Sequence, residues 1–231
     1  MTHTVHPYAH RLGIIRDWKS RWFAADKQSF RENIAVDQAI RAYFKKRGRG
    51  MYIADLEIER TAAEIRILLH TARPGVVIGR SGDNATKLRN DLTRLVNSKA
   101  TGTKRAVKLD IIEVRQPETS AAVVGLMVAE GLEKRMPFRR VLKQTVEKVM
   151  AVREVVGVRI VVSGRLGGAD MSRTEQIKRG RIPLQTFRAN IDYAHQEALL
   201  PYGVIGIKVW IYLGETFTDQ AANGRAAAPK H

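Results

Sequence analysis

The stretch from Pro74 to Val96 constrains this chain more than any other. It reads Pro-Gly-Val-Val-Ile, then Gly79-Arg80-Ser81-Gly82, then a segment whose Ala85, Leu88, Leu92 and Leu95 recur at helical spacing. A four-residue loop between two short helices places the unpaired N–H groups of the second helix, and the positive end of its dipole, at the loop. Such a place attracts an anion. Gly79 and Gly82 lack a Cβ, so the chain can take the φ > 0 values of a tight turn and let a sugar-phosphate backbone lie against the main chain. Arg80 adds a charge directed at phosphate.

Charge points the same way. Forty Lys and Arg against 23 Asp and Glu leave a formal charge of +17, far more than solubility requires and indicative of a polyanion partner. The excess is positive in each of 1–50, 51–117 and 118–231, so it belongs to the folded body and not to one basic tail. With 231 residues, 44% of them hydrophobic, the chain has room for one large or two small domains with a real core. The absence of cysteine excludes disulfides, thiol catalysis and cysteine zinc sites. No apolar run approaches the roughly 20 residues of a membrane span, and the N-terminus has no hydrophobic signal core. A cytoplasmic protein without a membrane partner is expected.

Residues 1–25 lack a clean period and interleave His3, His6, His10, Arg11, Arg16, Lys19 and Arg21 with Trp18, Trp22 and Phe23. Cations can hold phosphates while rings stack on bases, so this reads as a basic RNA-binding arm. Only one histidine pair has i, i+4 spacing, Pro7 interrupts it, and no carboxylate or cysteine is close, which argues against a metal. From Asp26 to Arg47, Phe30, Ile34, Ile40, Tyr43 and Phe44 mark one stripe of a helix. Its basic end, Lys45-Lys46-Arg47, suits the helix dipole and offers cations to phosphate. A strand over 52–59 sets Tyr52, Ala54, Leu56 and Ile58 on one face and Ile53, Asp55, Glu57 and Glu59 on the other. Three carboxylates in a row suit either a divalent cation for phosphoryl chemistry or a solvated or protein-contacting face, and nothing else in the chain completes a nuclease site. A second strand at 64–71 turns Ile65, Ile67 and Leu69 inward, and a third follows at 105–114.

The order helix-strand-strand-helix-helix-strand around Gly79-Arg80-Ser81-Gly82 resembles a type II KH domain, in which a G-x-x-G loop clamps the backbone of about four nucleotides. The domain would span 26–116. Two departures stand out: Ala85 replaces the usual Val or Ile, and Ser81 leaves the loop with one cation.

Pro117 marks a seam. Ala121, Val124, Val128 and Leu132 define a helix that must stop near Met136, since the residue before Pro137 is pushed out of the helical region. The next helix, 137–151, buries Phe138, Leu142, Val146 and Val149, with Arg139 at the edge of the apolar arc and Lys143 and Arg140 further round. These three cations share one exposed flank. A central strand is expected at 155–163, then a loop with Gly164, Arg165, Gly167 and Gly168, then clustered Arg173, Lys178, Arg179 and Arg181. This run can cradle phosphate but has no Gly-Lys-Ser/Thr ending, which argues against a nucleoside triphosphate. Strands at 182–193 and 203–214 would complete an α/β domain over 117–216, two helices on a mostly antiparallel sheet, making the chain α+β as a whole. An alanine-rich tail over 217–231 is expected to be disordered.

Ordered blocks along nearly the whole chain resemble the bacterial family of small-subunit ribosomal protein three. They include Val5-His6-Pro7, Arg11-Leu12-Gly13-Ile14, His70-Thr71-Ala72-Arg73-Pro74-Gly75, Phe138-Arg139-Arg140, Ser163-Gly164-Arg165-Leu166-Gly167-Gly168-Ala169, Arg173-Thr174-Glu175 and Tyr202-Gly203-Val204-Ile205-Gly206-Ile207-Lys208-Val209-Trp210. Tyr8, Ala9 and His10 depart from the family pattern, and the tail is shorter and less basic. The resemblance implies a non-catalytic, cofactor-free constituent of the small-subunit head, bound to ribosomal RNA beside the channel by which messenger RNA enters. Small-subunit proteins ten and fourteen would be its head neighbours, and four and five its neighbours at the messenger channel. It further implies that Arg139, Arg140 and Lys143 help to open messenger helices. The KH loop, with His6, Arg11, Lys45, Lys46, Arg47, Arg165, Arg173, Lys178, Arg179 and Arg181, would hold ribosomal RNA. A free KH-type RNA chaperone or regulator is the alternative.

Overall fold

The computed structural model describes residues 5–61, 64–99 and 105–217. The chain forms two units, Trp18–Arg115 and a second that joins Met1–Asp17 to Gln116–His231. The expected arm over 1–25 is therefore divided between them. His3 and nearly all of the expected tail lie outside the described residues.

The first unit holds the short strand β1 (Ser20–Arg21), helix α1 (Lys27–Arg47), strands β2 (Ile53–Arg60) and β3 (Glu64–Thr71), helices α2 (Pro74–Ile78) and α3 (Asp83–Lys99), and strand β4 (Ala106–Glu113). Its sheet runs β1-β2-β3-β4, with β2 and β3 antiparallel and β3 and β4 parallel. Central β3 buries Ile65, Ile67 and Leu69 completely, as its alternation predicts. They pack against Val36, Ile40 and Phe44 of α1, Val77 of α2, and Leu88, Leu92 and Val96 of α3.

The stripe on α1 differs from expectation. Phe30 and Ile34 are exposed, and the buried face of that half of the helix carries Asn33 and Asp37. These polar groups are matched: Asp37 accepts from Trp22 Nε1 at 2.8 Å and from Arg60 Nη2 at 2.6 Å, and Asn33 Oδ1 accepts from Arg60 and Arg105. The Arg60–Asp37 side chains are only 4% and 9% exposed.

The second unit contains helices α4 (Ala121–Glu133) and α5 (Phe138–Met150) and strands β5 (Gly157–Gly164), β6 (Arg173–Gly180), β7 (Ala189–Leu200) and β8 (Gly203–Glu215). The sheet order is β6-β5-β8-β7, antiparallel throughout. One face packs its Val158, Ile160, Val162, Ile205, Ile207, Val209 and Ile211 against Val124, Val128, Leu132, Leu142, Val146 and Val149 of the two helices. Pro137 immediately precedes α5 instead of lying within its first turn.

Two strands fall elsewhere than the sequence suggests. Residues 173–180, read as clustered cations after a loop, form the edge strand β6, and the strand expected at 182–193 begins at Ala189 and runs to Leu200. An edge strand pairs on one side only, and Ile177 is its sole apolar residue packed on the main core, so β6 carries almost no hydrophobic alternation to read.

On the opposite face, Ala189, Ile191, Trp210 and Tyr212 form a small cluster with Ile182, Leu184 and Tyr193. Beside it lies Arg11, which is an interior residue and not the RNA contact expected. It is fully buried, and its guanidinium donates to the backbone carbonyls of Ala189 at 2.6 Å, Pro7 at 2.9 Å, Leu184 at 3.0 Å, Thr186 at 2.9 Å and Pro183 at 3.4 Å. Buried and bonded to main-chain carbonyls through all three of its nitrogens, it is closed to phosphate. No helix among the described residues is long and apolar enough to cross a membrane.

Candidate nucleic-acid interface

The loop after α2 has the backbone its glycines suggested. Gly79 sits at φ 75° and Gly82 at φ 83°, and Ser81 between them at φ 55° is a non-glycine residue in the left-handed region. A Cβ at Gly79 would come within 2.7–2.9 Å of the Asn84 side chain, so that position accepts only glycine without rearrangement. Asn84 Nδ2 in turn donates to Val76 O at 3.4 Å across the loop. Arg80 and Ser81 are exposed, and so are Val76 and Ile78, at 49% and 40%. An exposed cation and free loop edge beside exposed apolar side chains offer phosphate contact next to a surface on which bases can lie.

At the end of α1, Lys45 and Lys46 are exposed while Arg47 is engaged. Arg47 Nη1 donates to Tyr43 Oη at 2.6 Å and to Asp91 Oδ2 at 3.1 Å, and its guanidinium lies 4.8 Å from the Tyr43 ring. Tyr43 Oη also donates to Asp91 at 2.9 Å, tying α1 to α3. Burial, then the bond to Asp91, pushes the Tyr43 phenol up to about 12.

The three carboxylates of β2 are answered from the same sheet and from the residue just before β1. Asp55 pairs with Lys19 at 2.8 Å, Glu57 with Arg21 at 3.1 Å, and Glu59 with Arg21 at 3.1 Å and Arg66 at 3.9 Å. His70 approaches Glu57 at 3.6 Å, and further along, Arg66 meets Asp110 and Lys108 meets Glu64. Among the described residues no group of three His, Cys, Asp or Glu is placed to hold a metal ion.

In the second unit, α5 seals Val141, Leu142, Thr145, Val146 and Val149 inside and leaves Arg139, Arg140 and Lys143 exposed. The pattern of the helix therefore separates an apolar face from a cationic flank, as its spacing implies. Arg139 is engaged: Nε and Nη2 donate to Glu175 of β6 at 3.3 and 3.2 Å.

The alternation of β6 sorts the remaining cations. Ile177 faces the helices and stands opposite Ile160, so Arg173, Glu175 and Arg179 share that side. Thr174, Gln176 and Lys178 take the other face, where Arg159 donates to Gln176 Oε1 at 2.7 Å and lies 5.1 Å from the Trp210 ring. Arg181 is exposed beyond the strand. Arg165 spends its donors locally, on Ala169 O, Tyr202 O and Asp170 Oδ1, and so braces its own glycine loop. His6 packs edge-on to Tyr193 at 4.7 Å, and His10 lies 4.2 Å from Phe187.

Sequence reasoning assigned no role to Arg159 or Glu175. A lone cation within an apolar strand was the available signal for Arg159; Glu175 had none, because its partner lies 36 residues away.

A KH unit with an exposed G-x-x-G loop, carried on one chain with a basic α+β unit, defines an RNA-binding protein. Comparison with known proteins narrows the class. The KH domain family model matches residues 39–119, and that of the Ribosomal protein S3, C-terminal domain matches 128–211. Small ribosomal subunit protein uS3 of Caldicellulosiruptor bescii is 44% identical over 230 residues, covering 100% of both chains. Its counterpart from Clostridium novyi is 44% identical over 93% of this chain and 94% of its own, and that of Nitrosococcus oceani 42% identical over 98% and 99%. The chain belongs to the uS3 family of small ribosomal subunit proteins. The family is structural and not enzymatic, and its place is the ribosome, which in bacteria is cytoplasmic.

Proposed function

We propose that this chain binds small-subunit ribosomal RNA through its KH loop and helps to line the channel by which messenger RNA enters, where Arg139, Arg140 and Lys143 hold messenger phosphates while helices are pulled open. The observation that carries the reading is the division of α5: its inner face is fixed by Val141, Leu142, Val146 and Val149, so its three cations are presented on a rigid support. Phosphate contacts are indifferent to sequence and can grip whatever message passes. The role needs no nucleotide site, because the translocating ribosome supplies the work. Small-subunit proteins four and five are the neighbours this position implies, with ten and fourteen on the head side.

Replacing Arg139, Arg140 and Lys143 by Ala together is expected to slow translation through a stable hairpin and leave assembly into small subunits intact, as judged by cofractionation in sucrose gradients. Unchanged hairpin transit would refute the messenger assignment.

A further inference from the structure

The side chains around the first turn of α5 form a closed arrangement. Glu175 takes two hydrogen bonds from Arg139, on separate carboxylate oxygens, and its Oε1 lies 3.7 Å from Arg173 Nε. The same two guanidinium groups lie over one ring: Arg139 is 5.6 Å and Arg173 5.4 Å from the centre of Phe138. The carboxylate is the anchored member. Glu175 is 27% exposed and held on a strand, whereas Arg139 and Arg173 are 70% and 50% exposed.

We infer that Glu175 is a positioning residue for the cationic flank of α5, and that Arg173, held beside Arg139 by this carboxylate and by Phe138, is a fourth phosphate contact of that flank. The inference rests on the messenger reading above and deepens it.

Two arginines sharing one carboxylate remain cationic in sum. Arg139 gives Nε and one terminal nitrogen to Glu175 and keeps Nη1 for a ligand, so it can bridge carboxylate and phosphate. An unrestrained arginine loses rotamer freedom when it takes up phosphate. One already held by Glu175 has lost much of it in the free protein and binds with less further loss. The hydrogen bond from Arg139, helped by the charges of Arg139 and Arg173, holds the Glu175 carboxyl below the usual carboxylate range. The arrangement is therefore ionised at neutral pH and is lost only as acid titrates Glu175 through its lowered pKa.

The sign of one substitution separates this role from simple charge balance. Glu175→Gln removes a negative charge from an RNA-facing surface; were charge alone at stake, RNA would bind more tightly. The positioning role predicts the opposite. Affinity of the purified full chain for a hairpin RNA with single-stranded flanks should fall roughly two- to fivefold, the scale of an exposed ion pair. Arg173→Ala should lower the log–log salt slope by about 0.7, one single-strand phosphate contact. In an Arg139→Ala, Arg173→Ala background, Glu175→Gln should cause no further loss of affinity, which a general weakening of β6 would not reproduce. Tighter or unchanged binding by Glu175→Gln, or a loss that persists in that background, overturns the inference. Hairpin affinity of the free chain is the readout here and hairpin transit of the ribosome is the readout above, so either can fail alone.

Discussion

The outer face of the first unit's sheet and the flank of α5 both display arginine and lysine, yet they do different things with them. On the sheet, Lys19, Arg21, Arg66 and Lys108 each meet a carboxylate among Asp55, Glu57, Glu59, Glu64 and Asp110. On the flank, Arg139 and Arg173 share the single carboxylate of Glu175, and Arg140 and Lys143 have no ion-pair partner among the described residues. Cations alone do not mark a nucleic-acid surface. On our reading of the flank, what marks such a surface is a local excess that the fold leaves unanswered, because that excess remains to displace counterions from RNA.

The strongest way to sharpen the contrast is to remove a cation from the interior and compare it with one removed from the surface. Arg11→Met keeps most of the side-chain bulk but strips the buried carbonyls of their donor, and should destabilise the second unit by about 3–5 kcal/mol in chemical denaturation. Arg140→Ala, on the exposed flank, should change stability by less than about 0.5 kcal/mol. A similar loss in both would erase the distinction between interior and exposed arginines.

Next in size is the buried pair of the first unit. Asp37→Ala leaves Arg60 buried without its counter-charge and Trp22 Nε1 without its acceptor, and should cost about 3 kcal/mol by the same measurement. A cost near that of an exposed pair would show that this network is not sealed from water.

The smallest effect is a pH dependence. The folded state keeps the Tyr43 proton up to about 12, whereas the unfolded chain releases it near the ordinary 10.0. This contribution is complete below the unfolded value and is lost as pH rises through the folded one. Tyr43→Phe should flatten the alkaline limb of the stability profile, and an unaltered profile would show that Asp91 does not hold the phenol.

What could be read from sequence follows how locally each feature is encoded. The Gly79–Gly82 loop, β3 and the two faces of α5 are set by spacing within a few residues, and all were legible. The strand β6 was not, since an edge strand with a single apolar contact has no period to detect. Phe30 and Ile34 misled, because Asn33 and Asp37 are made buryable only by Arg60 and Arg105, distant in the chain. Arg11 misled for the same reason: the carbonyls that enclose it come mostly from residues 183–189. The carboxylates of β2 looked free for a partner because their cations sit on β1, β3 and the segment before β1.

A matched pair of variants tests the central claim directly. One neutralises Arg21, Arg66 and Lys108 to Gln on the sheet, the other Arg139, Arg140 and Lys143 on the flank, so each removes three positive charges. The salt dependence of hairpin-RNA binding by the full chain is then compared. The flank variant should lose about 2 units of log–log slope, three contacts of about 0.7 each, and the sheet variant less than about 0.5. Equal losses would mean that RNA reads total charge, and that the distinction between answered and unanswered cations is wrong.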